Sequence, residues 1–247
     1  MPLETPGLAT SEAKGARLTS LSLFFPCHNE EGNVERVVRA ALEVAPTVAD
    51  DYEVIVVDDG SRDRTGDLAD RLAAENARVR VLHHERNRGY GGAVRSGLAA
   101  AAKDYVFFSD GDGQFDLREL PELVALLADG GCDLALGYRI RRADPFIRKV
   151  KAALYKGLIR VLFGLRVRDI DCAFKLVRRS VLERVHLAAE GALVSAELLI
   201  KAKKAGFRMR EAGVHHYPRV SGTQTGANLK VILRTFREIV ALWRQLR

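Results

Sequence analysis

Four times in succession between Leu21 and Leu127, a short apolar run is followed by an amphipathic stretch: Leu21 to Phe25 then Val34 to Val44, Glu53 to Val57 then Thr65 to Ala74, Val79 to His83 then Tyr90 to Ala102, and Tyr105 to Ser109 then Leu117 to Leu127. Strand-then-helix units in a row predict an α/β fold, a Rossmann-like, mostly parallel sheet flanked by helices on both faces. Val54-Ile55-Val56-Val57 and Tyr105-Val106-Phe107-Phe108 are apolar at every position, as strands covered on both faces are. Ligands of such sheets bind beyond the carboxyl ends of the strands. The loops there are unusually polar: Pro26-Cys27-His28-Asn29-Glu30, Asp58-Asp59-Gly60-Ser61, Arg86-Asn87-Arg88-Gly89 and Asp110-Gly111-Asp112-Gly113-Gln114.

Past Gly137 the alternation breaks down. Pro145 to Phe163 predicts an amphipathic basic helix, Asp169 to Val177 a strand, Ala192 to Ala205 a helix, and Leu229 to Leu246 a second amphipathic basic helix with Leu229, Ile232, Phe236, Ile239, Trp243 and Leu246 on one stripe. Residues 1–20 carry Pro, Gly, Ser, Thr and Glu without periodicity and predict a flexible tail. The expected division is thus a tail of 1–20, a domain of 21–226 and a terminal helix of 227–247.

With 47% apolar residues in 247, the chain can bury a sizeable core, which excludes disorder and a disulfide-stapled miniprotein. Cys27, Cys132 and Cys172 stand far apart without a CxxC spacing, which fits a reducing compartment. The first twenty residues hold no secretory apolar stretch, and no run reaches about 18 apolar residues. Neither export nor a membrane span is expected. The net charge of +7 is uneven: Arg139 to Arg179 holds thirteen Lys and Arg against three Asp, a local +10 in a chain otherwise at −3. A basic block of this kind points to an anionic partner or to a solvated helix face.

Asp110 and Asp112 leave an apolar strand on a glycine-rich turn, where both carboxylates can aim to one side. A sparse acidic pair suits Mg or Mn, whose shell is completed by water and substrate phosphates; an ordinary turn is the plainer reading. Asp58 and Asp59, ending a neighbouring strand, would share that rim, or serve as helix caps with Ser61. His28, His83, His84, His215 and His216 lack a metal-ligand spacing and are read as surface or supporting groups.

Taken in order, Phe25-Pro26-Cys27-His28-Asn29-Glu30, Val57-Asp58-Asp59-Gly60-Ser61, Asn87-Arg88-Gly89-Tyr90-Gly91 and Asp110-Gly111-Asp112-Gly113-Gln114 resemble family 2 glycosyltransferases, and within them the dolichyl-phosphate mannose synthase type of polyprenyl-phosphate glycosyltransferase, from Leu21 to about Gly226. The resemblance implies a GT-A fold and inverting transfer from a nucleoside-diphosphate sugar, GDP-mannose or a UDP-sugar. It places Pro26, Asn29, Glu30, Asp58, Asp59, Gly89, Asp110 and Gly111 in the nucleotide-sugar pocket, with Asp110, Asp112 and Gln114 holding a divalent Mg or Mn. Asp112, Arg139 and Arg219 would be catalytic, and Arg139, Arg148, Lys149 and Arg219 would bind an acceptor phosphate. Gly137-Tyr138-Arg139, Arg168 to Lys175 and His216 to Gly222 are similar to the acceptor region of the same enzymes. The chain departs from them at Ala152, where a serine often stands, at Ala173, where a glycine is usual, and at Thr223-Gln224-Thr225, which lacks a lysine.

A lipid phosphate is already anionic near neutral pH, its second pKa being about 6, and needs no general base. A hydroxyl acceptor needs one, which related hydroxyl-transferring enzymes keep in a paired acidic motif; here Ser195-Ala196-Glu197-Leu198 offers a single acid, read as structural or positioning. The two basic helices could lie on an anionic membrane, with Phe146, Leu154, Leu158, Phe236 and Trp243 entering it, or pack on the core. The leading expectation is therefore a cytoplasmic enzyme, peripheral on the inner membrane face, with a polyprenyl phosphate as acceptor and room for a small membrane partner. The alternatives are transfer to a soluble or saccharide hydroxyl and, from another class, a non-catalytic anion- or nucleic-acid-binding protein, nucleic acid being the obvious partner of so basic a chain. No nucleic-acid partner is expected, because no recognised motif or interleaved aromatic accompanies the basic block.

Overall fold

The computed structural model describes residues 15–140, 146–219 and 229–246, with the side chains of 146–152 and 229–234 outside that description. Apolar runs form β1 (Leu18–Cys27), β2 (Ala49–Asp58), β3 (Val79–His83) and β4 (Tyr105–Phe108); between them lie α1 (Val34–Val48), α2 (Thr65–Glu75) and α3 (Gly89–Ala100). A 3-10 turn at Leu117–Glu119 leads into α4 (Leu120–Ala128), followed by β5 (Leu134–Arg139), α5 (Phe146–Phe163), β6 (Lys175–Arg178), α6 (Arg179–Arg184), α7 (Val194–Lys204), β7 (Met209–Val214) and α8 (Leu229–Leu246). The strands form one sheet in the order β3-β2-β1-β4-β6-β5-β7. Only β6 runs against its neighbours, pairing antiparallel with both β4 and β5.

Alternation along each strand divides the core in two. Leu21, Leu23 and Phe25 of β1, with Val54 and Val56 of β2, face a cluster built with α1, α2 and α4. Phe24, Ile55, Val57 and Phe108 face the opposite cluster, built with α3, α5, α7 and α8. A fully buried side chain of this size contributes about 1.5–3 kcal/mol, so both layers hold the sheet rigid beneath its loops.

Several expectations are corrected. β1 begins at Leu18 rather than Leu21, because Arg17 bonds Pro46 O, Ala49 O and Asp50 and ties the strand start to β2. The Asp169–Val177 strand shrinks to Lys175–Arg178: the buried Lys175 ammonium donates to Ile170 O and Cys172 O, and curls the preceding chain around itself. β2 and β4 are not neighbours, since β1 lies between them. Of the apolar residues expected at a membrane, Leu158 packs against the second core cluster and Trp243 is half-buried, whereas Leu154 and Phe236 are exposed; Phe146 lies outside the described side chains. Ile239 and Leu242 of α8 are buried in the second cluster, so the terminal helix packs on the body of the fold. Among the described residues, no helix is long and apolar enough to cross a membrane.

Candidate active site

The sheet reverses its order at β1: β2 and β3 lie to one side, β4 to the other. Such a switch point opens a crevice beyond the strand ends. Its floor is backbone. Asp59 N donates to Cys27 O at 2.8 Å, and Gly111 N to Pro26 O at 3.2 Å, stitching the ends of β2 and β4 to β1. Gly111 must lack a side chain here, because a Cβ would stand 2.3 Å from Cys27 Sγ.

Carboxylates converge on this floor. Burial and then the fields of Glu30, Asp58, Asp112 and Asp110 push the Cys27 thiol well above its ordinary pKa. Asp110 is pushed up to about 6, by burial first and by Asp112 second, although the Tyr90 hydroxyl donates to it. Asp112 Oδ1 accepts Gln114 N at 3.0 Å, closing the glycine-rich turn.

Arg219 answers this charge from the far end of the fold. Its NH1 donates to Glu30 Oε1 at 2.9 Å and its NH2 to Asp112 Oδ2 at 2.8 Å, while its Nε is buried without a partner among the described residues. The segment after β7 is held by Tyr217 N on Gln114 O at 2.8 Å and by Gln114 Nε2 on Tyr217 O at 2.6 Å. Gln114 therefore acts as the tether of this segment.

On the β2 side, Asn29 takes a left-handed φ of 56°; its N–H donates to Ser61 Oγ at 3.0 Å and its Oδ1 accepts Arg62 N at 2.8 Å. Asn33 Nδ2 donates to Glu30 Oε2 at 2.7 Å. Asp58 Oδ1 accepts Ser61 N and its Oδ2 faces His83 Nδ1 at 3.0 Å; Asp59 Oδ1 faces His84 Nδ1 at 2.6 Å and accepts Arg88 N at 2.8 Å. Gly89 opens α3 with a φ of 80°.

On the basic side, Arg139 ends β5 and holds Asp169 with both arms of its fork, Nε at 2.7 Å and NH2 at 2.8 Å. Burial lowers the Arg139 pKa, but the hydrogen bonds and charge of Asp169 outweigh it and the net shift is upward. The side chains of Arg148 and Lys149, on α5, lie outside the described residues. Glu197 is buried on α7. Its carboxylate accepts Ala188 N at 3.0 Å and Ala189 N at 2.8 Å, and pairs with Lys201 Nζ at 2.7 Å. It thereby holds the loop whose Glu190 O accepts Gly91 N at the start of α3.

Glu30, Asp58, Asp59, Asp110, Gly111, Asp112, Gln114 and Arg219 thus gather at the strand ends with Pro26, whereas Arg139 is turned to Asp169. Sequence reasoning did not find His83 and His84 as partners of Asp58 and Asp59, Tyr90 as the partner of Asp110, or Asp169 as the partner of Arg139. One signal was present for the histidines: His83 ends β3 and His84 follows it just as Asp58 ends β2 and Asp59 follows it, and parallel pairing sets Asp58 opposite His83. Among the described residues, no set of three His, Cys, Asp or Glu side chains could hold a metal unaided. Asp110 and Asp112 are nevertheless hard oxygen donors on one glycine-rich turn, and that chemistry fits a divalent cation with a phosphorylated ligand.

Comparison with known proteins places this geometry. A sequence profile described as Glycosyl transferase family 2 matches residues 22–185. Glycosyltransferase AglD of Haloferax volcanii is 36% identical over 92% of the chain, which spans 37% of that protein's length. Polyprenol monophosphomannose synthase of Mycolicibacterium smegmatis is 31% identical, over 84% of this chain and 82% of that one. Among solved structures, glucosyl-3-phosphoglycerate synthase from Mycobacterium tuberculosis, in complex with Mn2+ and UDP-glucose, superposes with a TM-score of 0.69 at 25% identity, covering 98% of this chain and 84% of that one.

Proposed function

The chain belongs to glycosyl transferase family 2, with a GT-A-like fold, and from this premise we propose that it transfers a hexose from a nucleotide-sugar donor, with inversion, to a polyprenyl phosphate. The observation that carries the choice of acceptor is Glu197. The one acid in the place of the paired acidic motif is sealed by two backbone N–H groups and Lys201, so it has no lone pair directed at a substrate hydroxyl. An acceptor that arrives ionised asks for no base.

In this reading Pro26, Asn29, Glu30, Asp59 and Gly89 line the nucleotide side of the crevice, with Asp58 bracing it. Asp110 and Asp112 would hold the divalent cation, Mg or Mn, whose chemistry when bound is to neutralise charge gathering on the departing nucleoside diphosphate. Arg219 leaves Asp112 as the donor enters and turns its fork, including the unpaired Nε, toward phosphate oxygens, where charge-assisted pairs are strong. Arg139, with Arg148 and Lys149 of α5, supplies positive potential on the acceptor side. The relative named as a polyprenol monophosphomannose synthase supports the lipid acceptor. Exposed Leu154 and Val161 of α5 and Phe236 of α8, set among cations, support peripheral contact with the cytoplasmic face of a membrane.

The test is transfer of radiolabelled sugar from GDP- and UDP-sugars, with Mg or Mn, to a polyprenyl phosphate in detergent. Label is expected in the organic phase, lost on chelation and in Asp112→Asn. Donor binding or hydrolysis without lipid product would overturn the acceptor and keep the glycosyltransferase, turning the search to soluble hydroxyl compounds.

A further inference from the structure

Asp58 ends β2 and Asp59 follows it, His83 ends β3 and His84 follows it, and the register places Asp58 opposite His83. The two pairs differ in what they leave free. Asp58 has both oxygens taken, Oδ1 by Ser61 N at 3.1 Å and Oδ2 by His83 at 3.0 Å. Asp59 receives both of its partners, His84 Nδ1 and Arg88 N, on Oδ1; Oδ2 has no hydrogen-bond partner among the described residues.

His84 is itself pinned. Its side chain is 5% exposed, and its Nε2 meets Ser96 Oγ of α3 at 2.9 Å. Asp59 can only accept, so Nδ1 is assigned the proton and Nε2 is left to the Ser96 hydroxyl. A ring held at both nitrogens cannot turn, and a carboxylate held by that ring at 2.6 Å and by Arg88 N at 2.8 Å is restrained in its rotation, which sets where its second oxygen lies. An unheld aspartate would have to be ordered by its ligand, which weakens binding.

We propose that His84 is a positioning residue for the donor: it fixes the Asp59 carboxylate so that Oδ2 presents one acceptor to a ring N–H or a ribose hydroxyl of the nucleoside. This rests on the reading above that Asp59 lines the nucleotide side of the crevice. His84 touches no reacting atom, so its removal changes how well the donor is held and leaves the chemical step alone.

The experiment measures binding of GDP and of UDP with Mn2+ by calorimetry, and KM and kcat with the matching sugar nucleotides, for the full chain and four variants. His84→Ala is expected to raise Kd and donor KM about tenfold, as for loss of a hydrogen bond to a charged group, with kcat held within about twofold. His84→Asn sets an amide N–H where Nδ1 stood and should recover most of the loss. His84→Gln reaches toward Ser96 instead and should not. An unchanged Kd in His84→Ala, equal behaviour of the Asn and Gln variants, or a fall in kcat without a rise in KM overturns the proposal. If His84→Ala fails to fold, the Asn and Gln pair decides alone. Asp59→Asn separates the two layers of the argument: a Kd unchanged there, or no binding of either nucleotide by the unaltered protein, removes the nucleotide reading itself, whereas a weakened Asp59→Asn beside an unaffected His84→Ala removes only His84.

Discussion

His83 stands between two carboxylates, Asp70 of α2 and Asp58 of β2, each 3.0 Å from a ring nitrogen. Asp70 first, and Asp58 with it, raise its pKa above the ordinary 6.5. A histidine that gains such partners on folding stabilises the native state fully below the unfolded pKa, and the contribution is lost as pH rises through the folded one. His83→Gln should therefore lower the thermal midpoint below about pH 6.5 and converge on the unaltered protein at higher pH. The ring is close to half exposed, and solvent screening keeps the effect within about 1 kcal/mol. Midpoints recorded from about pH 5 to about pH 9 that stay parallel in the two proteins would rule the ion pairs out as a source of stability. Asp58, Asp59, Asp110 and Asp112 were legible as a group, because acids directly after apolar strands mark a rim. Their individual surroundings were not. Whether an aspartate is braced on both oxygens, like Asp58, or on one, like Asp59, depends on which residue of another strand stands opposite.

At the scale of elements, α3 shows how tightly the crevice is underpinned. Gly97 lies on the ring of Phe24, where an added Cβ would come within 2.2 Å; Phe24 in turn stacks on Phe108 of β4, centroids 5.2 Å apart. A methyl group here must move a fully buried aromatic that has no space to enter. Gly97→Ala is expected to destabilise the protein by about 1–3 kcal/mol, read as a lower midpoint in chemical denaturation with an unchanged slope. A midpoint equal to that of the unaltered protein would mean that α3 can slide on the sheet. The elements of the first half were legible because strand and helix periods alternate cleanly there, and β3 and α8 fall on their expected bounds. The second half was harder. Lys175 is fully buried inside a stretch that reads as a strand, and only its bonds to Ile170 O and Cys172 O account for the coil before it.

Over the whole molecule, charge is segregated: the +10 segment of Arg139 to Arg179 adjoins a crevice rich in carboxylates. Leu154 and Val161, 69% and 82% exposed on α5, and Phe236, 58% exposed on α8, are the apolar side chains such a surface could press into a bilayer. Sedimentation with vesicles containing phosphatidylserine should carry the protein down at low salt and release it as salt rises. Leu154→Glu combined with Phe236→Glu should weaken that binding by about tenfold or more, since each removes buried apolar area and adds a repelled charge. Equal sedimentation of the double variant would assign these residues to another contact. The sheet order carries a further consequence, for synthesis on the ribosome. β1 to β4 can assemble as they emerge, but β5 is made before β6 and has no place until β6 inserts between it and β4. Translation of the chain from Ser109 to Phe174 takes on the order of seconds. Throughout that time Tyr105-Val106-Phe107-Phe108, paired with β1 on one side, forms an apolar sheet edge open on the other, a ready landing place for a chaperone.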